Sequence, residues 1–123
     1  VSAKLIETVA DGVCDSIVLV FLENSRNKNL RSKNWINRQE KKIFEGIEYL
    51  SNHLKEKEFF VGNNFSIADI SCFSCLEYID LRFPKFDWRK RHKNLDKYWK
   101  THEIRDSFQK TKPKAQMIEP IQN

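Results

Sequence analysis

Glycine and proline are scarce, with three of each in 123 residues. A β-sandwich or barrel turns about every 8–12 residues and draws on those residues to do so, so an all-β fold is excluded early. Cysteine is also sparse and odd in number, with Cys14, Cys72 and Cys75 as the whole set. A secreted disulfide scaffold carries more, in pairs, so a reducing cytoplasmic setting is expected. Long apolar runs are missing as well. The longest spans residues 17–22 and stops at Glu23, whereas a membrane-crossing helix needs ~20 such residues, so no membrane partner is expected. No charged-then-apolar leader opens the chain. His53, His92 and His102 fall in different stretches and offer no metal-ligand spacing.

Charge is plentiful, at 32% of residues against 40% hydrophobic, a balance that suits helices with one solvated face. The length is that of one domain with a core of its own. The first residue is Val1 and a helical pattern begins at once, so a piece of a longer protein is expected. Ile6, Val9, Val13, Ile17 and Val20 recur at spacings of three and four and define a helix over 4–24. Val18, Leu19, Phe21 and Leu22 widen its stripe, so its second half is expected to be buried on most sides. Gly12 costs ~1 kcal/mol there relative to alanine, and close approach of a neighbouring backbone or ligand would explain it.

Residues 24–34 are polar and aperiodic and read as a surface loop, with Ser32 or Asn34 able to cap the next helix. That helix covers 35–55, with Ile36, Gln39, Ile43, Ile47, Leu50 and Leu54 on one side and Arg38, Lys41, Lys42, Glu45 and Glu48 on the other. Two long helices across a short loop should pack antiparallel. A turn follows around Gly62, with Phe59 and Phe60 directed into the core. A third helix starts at Ser66 and runs to about Asp80, with Ile67, Ile70, Phe73, Ser74, Glu77 and Leu81 along one row. It is apolar nearly all round, which places it at the centre of the bundle. Pro84 closes it off, because a proline disfavours helix in the residue before it. A fourth helix is expected over 89–101, a short fifth over 103–111, and an extended tail over 113–123. The fold class is thus all-α, an orthogonal or up-down bundle of about five helices over 1–112.

The segment Phe65-Ser66-Ile67-Ala68-Asp69-Ile70 is a complete helix start. Ser66 suits the N-cap, and Asp69 three residues on can reach back to the Ser66 N–H in a shortened capping box. Phe65 and Ile70 stand where a hydrophobic staple needs them. A buried helix end has no water for its free N–H groups, so side chains must serve them.

With its turn, Val61-Gly62-Asn63-Asn64-Phe65-Ser66-Ile67-Ala68-Asp69-Ile70 resembles the segment that opens the central helix of the C-terminal domain in cytosolic, bacterial-type glutathione transferases. Arg105-Asp106-Ser107-Phe108 is similar to that family's closing Arg-Pro-Ser-Phe segment, with Asp106 where proline is usual. The resemblance covers about residues 4–113. It implies a two-domain parent. A thioredoxin-like N-terminal domain, absent from this chain, would bind glutathione as co-substrate and hold the residue that activates its thiol. Thiolate, the nucleophile, would attack a small electrophile or serve a reductive reaction. The helical domain would supply a wall of the electrophile pocket and homodimer contacts. The catalytic hydroxyl or thiol has no counterpart here, and no cofactor is expected in this chain.

On that basis the first helix supplies the pocket wall, through Asp11, Cys14, Asp15, Val18 and Leu22. The i, i+4 carboxylates Asp11 and Asp15 also suit a polar face at a domain boundary, which is the more economical reading. Cys72 and Cys75 have Cys-x-x-Cys spacing but sit inside a helix with no second pair, so they read as packing residues. Trp35, Trp88 and Trp99 read as core or interface anchors. Residues 82–114 carry an excess of Lys and Arg. No stacking ladder or helix-turn-helix signature accompanies it, so a solvated face is favoured over nucleic acid. The alternative function is a non-catalytic interaction module of the same fold, as in translation factors or stress regulators.

Overall fold

The structure, a computed structural model, describes residues 2–104. Helix α1 is Ala3–Asn24. Ser2 caps it, accepting from the Leu5 N–H at 3.2 Å. Its apolar stripe does as expected, with Ile6, Val13, Ile17 and Val20 buried, and Ala10 and Ser16 join them. The second half is less covered than the sequence suggested. Leu19 is 40% exposed, and Val18, Phe21 and Leu22 are only half-buried, because neighbouring helices reach α1 on two flanks and leave a third open.

The corner after α1 is locked locally. The Glu23 carboxylate accepts from the Ser32 N–H at 2.9 Å and pairs with Arg26 at 3.1 Å. The Ser32 bond, seconded by Arg26, holds the Glu23 carboxyl below its ordinary value. A 3-10 turn at Lys28–Leu30 lies between, and Ser32 then caps α2, Lys33–Leu54, by accepting from the Trp35 N–H at 3.3 Å. Five of the six stripe residues of α2 are buried and Ile36 is half-buried, while its charged face is exposed.

Helices α1 and α2 pack antiparallel through a glycine, but not the expected one. A Cβ on Gly12 would meet nothing, whereas one on Gly46 would strike the Val13 side chain, with Val9 just beyond. The close approach is therefore made by α2, whose Gly46 admits the valine ridge of α1.

Helix α3 is Ile67–Arg82 and runs parallel to α1, with Cys14 against Cys75 and Arg82 over Phe21 at 4.3 Å. Half of its sixteen residues are buried, among them Ala68, Cys72, Phe73, Cys75, Leu76 and Ile79. The row read from the sequence is not that buried face. Of its members Phe73 is buried, but Ile67 is 50% exposed and Ile70, Ser74, Glu77 and Leu81 are half-buried. A helix apolar all round has no moment to show which side is covered, so the neighbours decide. Among the three long helices α1 lies between the other two, while α3 is covered by α1 on one side and by Trp88, Tyr98 and Trp99 on the other, in keeping with its expected central place.

Phe83 and Pro84 end α3 as expected. The expected fourth helix is two, α4 at Trp88–Arg91 and α5 at Lys93–His102, broken at His92 (φ −126°, ψ 87°). Phe60 is buried at 1% exposure and Phe59 only half-buried. The expected helix over 103–111, the closing segment from Arg105 and the tail lie outside the described residues.

Candidate functional site

The residues singled out in the sequence fall in two places, the start of α3 and the open flank of α1. At the first, Asp69 is wholly buried, and its surroundings explain how a carboxylate is tolerated there. It accepts from the Ser66 N–H at 3.0 Å and the Ser66 hydroxyl at 3.2 Å, and both halves of the capping box are present. It also accepts from the Phe60 N–H at 3.1 Å and from the Tyr98 hydroxyl at 2.6 Å. One side chain thus joins the α2–α3 turn, the first turn of α3 and α5. Charge-assisted bonds of this kind are short and strong, and the helix N-terminus adds a favourable field. Phe65 and Ile70 are both half-buried against the core beside it.

A second acidic node lies at the other end of α3, and the sequence reading missed it. Asp80 takes a two-pronged pair from Arg89, at 2.9 and 2.7 Å, and the Trp88 indole N–H at 3.0 Å. The Asp80 bonds raise the Arg89 pKa. The Arg89 guanidinium stacks over Trp88 at 4.2 Å and faces Trp99 at 5.0 Å, and Trp99 lies flat on Phe73 at 4.0 Å. Of the three tryptophans expected as core or interface anchors, Trp88 and Trp99 are buried in the core and Trp35 is half-buried. The signal for Asp80 was an acid at the end of an apolar helix eight residues before a Trp-Arg pair, visible only in retrospect.

On the open flank of α1, Asp11 and Asp15 are exposed, and Cys14, Val18 and Leu22 are half-buried. The five residues do share a flank, and α3 continues it. Cys14 shares a hydrogen bond with Cys75, and Tyr78 faces Arg82. The Cys14 bond and then burial push the Cys75 thiol well up. Burial, seconded by the Asp69 charge, pushes Cys72 up as well. Burial raises Tyr78 while Arg82 pulls it back. Cys72 and Cys75 are therefore protonated near neutrality, so neither supplies a ready thiolate. All three cysteines are free. Among the described residues no cluster of three or more His, Cys, Asp or Glu is placed to hold a metal, and no helix is long and apolar enough to cross a membrane.

This arrangement has a known setting. The family profile described as "Glutathione S-transferase, C-terminal domain" matches residues 33–99. A glutathione S-transferase from Methylobacterium radiotolerans, solved in complex with glutathione sulfonate, superposes with a TM-score of 0.92 at 36% identity, over 99% of this chain and 57% of that one. A glutathione S-transferase from Methylobacillus flagellatus with glutathione bound gives 0.84 at 29% identity, over 92% and 56%. A glutathione transferase family member from Pseudomonas fluorescens with bound S-(propanoic acid)-glutathione gives 0.80 at 29%, over 91% and 56%. No curated protein is a significant match. The chain belongs to the glutathione S-transferase C-terminal domain family. It spans little more than half the length of the solved relatives it matches.

Proposed function

We propose that this chain is the helical half of a glutathione transferase that joins the glutathione thiolate to a small electrophile, or spends it in a reductive reaction. A thioredoxin-like N-terminal half would bind the glutathione and lower its thiol pKa. The helical half, over 1–112, would close the electrophile pocket with Asp11, Cys14, Asp15, Val18 and Leu22 and carry homodimer contacts in the cytosol. The single observation behind this reading is the likeness along nearly the whole chain to a relative solved with a glutathione derivative, at 36% identity. The two protonated, buried thiols agree with a division of labour in which the nucleophile comes from elsewhere.

The test compares two proteins in a conjugation assay with glutathione and a chloro-nitroaromatic. The 123-residue chain alone is expected to give no turnover above buffer, and the form carrying the N-terminal half to give saturable turnover. Turnover by the chain alone overturns the division of labour. An inert two-domain form that still folds and dimerises favours the interaction-module reading instead. In the active form, Val18→Trp and Leu22→Trp should raise KM for the electrophile more than for glutathione, which identifies the α1 flank as pocket wall.

A further inference from the structure

We propose that Cys14 and Cys75 are a redox pair, whose two thiols close into a reversible disulfide that staples α1 to α3 when the small-molecule thiol pool is oxidised. The pair lies across a helix interface held in register. Cys14 on α1 shares a hydrogen bond with Cys75 on α3, and seven residues further along both helices Arg82 lies over the Phe21 ring at 4.3 Å. The two parallel helices therefore stay in step over about two turns, ~10 Å, and keep the sulfurs facing each other. A disulfide needs Cβ atoms about 3.5–4.5 Å apart, and sulfurs in contact across packed helices leave a small side-chain adjustment to reach it. Cys72 is an unsuitable partner for Cys75. Three residues apart on one helix, their Cβ atoms stand about 5–6 Å apart, beyond disulfide reach while the helix is intact.

Exposure sets the order of events. Cys14 is half-buried on the open flank of α1, whereas Cys72 and Cys75 are fully buried, so of the three it is Cys14 that meets an oxidant from solvent. The oxidant is a low-molecular-weight disulfide such as oxidised glutathione. The Cys14 thiolate attacks one glutathione sulfur, forms a mixed disulfide and releases the first glutathione thiolate. Cys75 then gives up its proton, attacks the Cys14 sulfur and expels the second glutathione thiolate. Two electrons leave the protein sulfurs for the glutathione disulfide, and the two thiol protons end on the two glutathiones released. The Cys75 thiol is held well above its ordinary pKa by the Cys14 hydrogen bond and then by burial, so this second step draws on proximity in place of a ready thiolate. Closure encircles about sixty residues of chain and so constrains the unfolded state. The device needs no transferase activity and does not rest on the reading proposed above.

The experiment incubates the full 123-residue chain with oxidised glutathione at about pH 8, where an ordinary thiol is partly ionised, and follows intact mass, peptide maps and thermal melts. The mass should fall by two hydrogens, the map should join the Cys14 peptide to the Cys75 peptide, and Cys72 should stay a free thiol. The oxidised form should melt about 5–15 °C higher, and dithiothreitol should reverse the change. Cys75→Ala should stop at a chain carrying one glutathione on Cys14. Cys14→Ser, which alters a half-exposed side chain, should leave the folded chain unreacted. A wild-type chain that keeps its glutathione, a bridge to Cys72 or between chains, reaction that waits for denaturant, or an oxidised form that melts no higher each overturn the proposal.

Discussion

At the residue scale, the surroundings of Asp69 state its role. Four donors, the Ser66 N–H and hydroxyl, the Phe60 N–H and the Tyr98 hydroxyl, converge on it, and its removal strands buried donors. Asp69→Ala should therefore cost about 3 kcal/mol or more, while Tyr98→Phe, which deletes one donor without leaving another unpaired, should cost about 1–2 kcal/mol. Urea denaturation of the chain measures both, and equal small losses would show that the carboxylate is not the common tie. Ser66 and Asp69 were legible as a cap because capping is a local rule over four residues. Tyr98 was not, since it stands twenty-nine positions further along the chain.

At the element scale, the lesson concerns which glycine matters. Gly12 and Gly46 both interrupt good helical patterns, and nothing in either helix tells them apart. The packing does. A methyl on Gly46 meets Val13, and one on Gly12 meets open space. Gly46→Ala should accordingly destabilise by about 1–3 kcal/mol through overpacking. Gly12→Ala should stabilise by about 0.5–1 kcal/mol through its better helix propensity. Thermal melts of the two single variants check this, and pairing Gly46→Ala with Val13→Ala should recover part of the loss. The break between α4 and α5 belongs to the same scale. Asp87 caps α4 by accepting from the Lys90 N–H, and the His92 backbone leaves helical geometry. The periodicity of Leu95, Tyr98 and Trp99 carries on after the break, so a pattern alone reads straight through it. The Asn94 side chain explains why α5 is re-aimed. It donates to the Ser51 and Lys55 carbonyls at 2.9 Å, and so seals the C-terminus of α2.

At the scale of the whole molecule, the histidine at that break couples stability to pH. Burial, seconded by Arg91, lowers the His92 pKa from its ordinary 6.5. The unfolded chain then binds the proton more readily than the folded one. The stabilising contribution is complete above about pH 6.5 and shrinks as pH falls from there through the lower folded value. Denaturation midpoints should thus fall as pH drops below about 6.5, and His92→Gln should flatten part of that slope. A midpoint that rises on acidification would contradict the assigned sign.

The all-helical class, the capped start of α3 and the kinship were determined by the sequence, because each rests on short-range regularity: spacings of three and four, a serine three residues from an aspartate, a proline after a phenylalanine. Which flank of α3 is covered, which glycine admits a neighbour, and where Asp80 and Asn94 find partners were decided by the tertiary structure. Those properties depend on residues tens of positions apart meeting across helix interfaces, and a chain that is apolar on every side of a helix carries no local mark of which side its neighbours will choose.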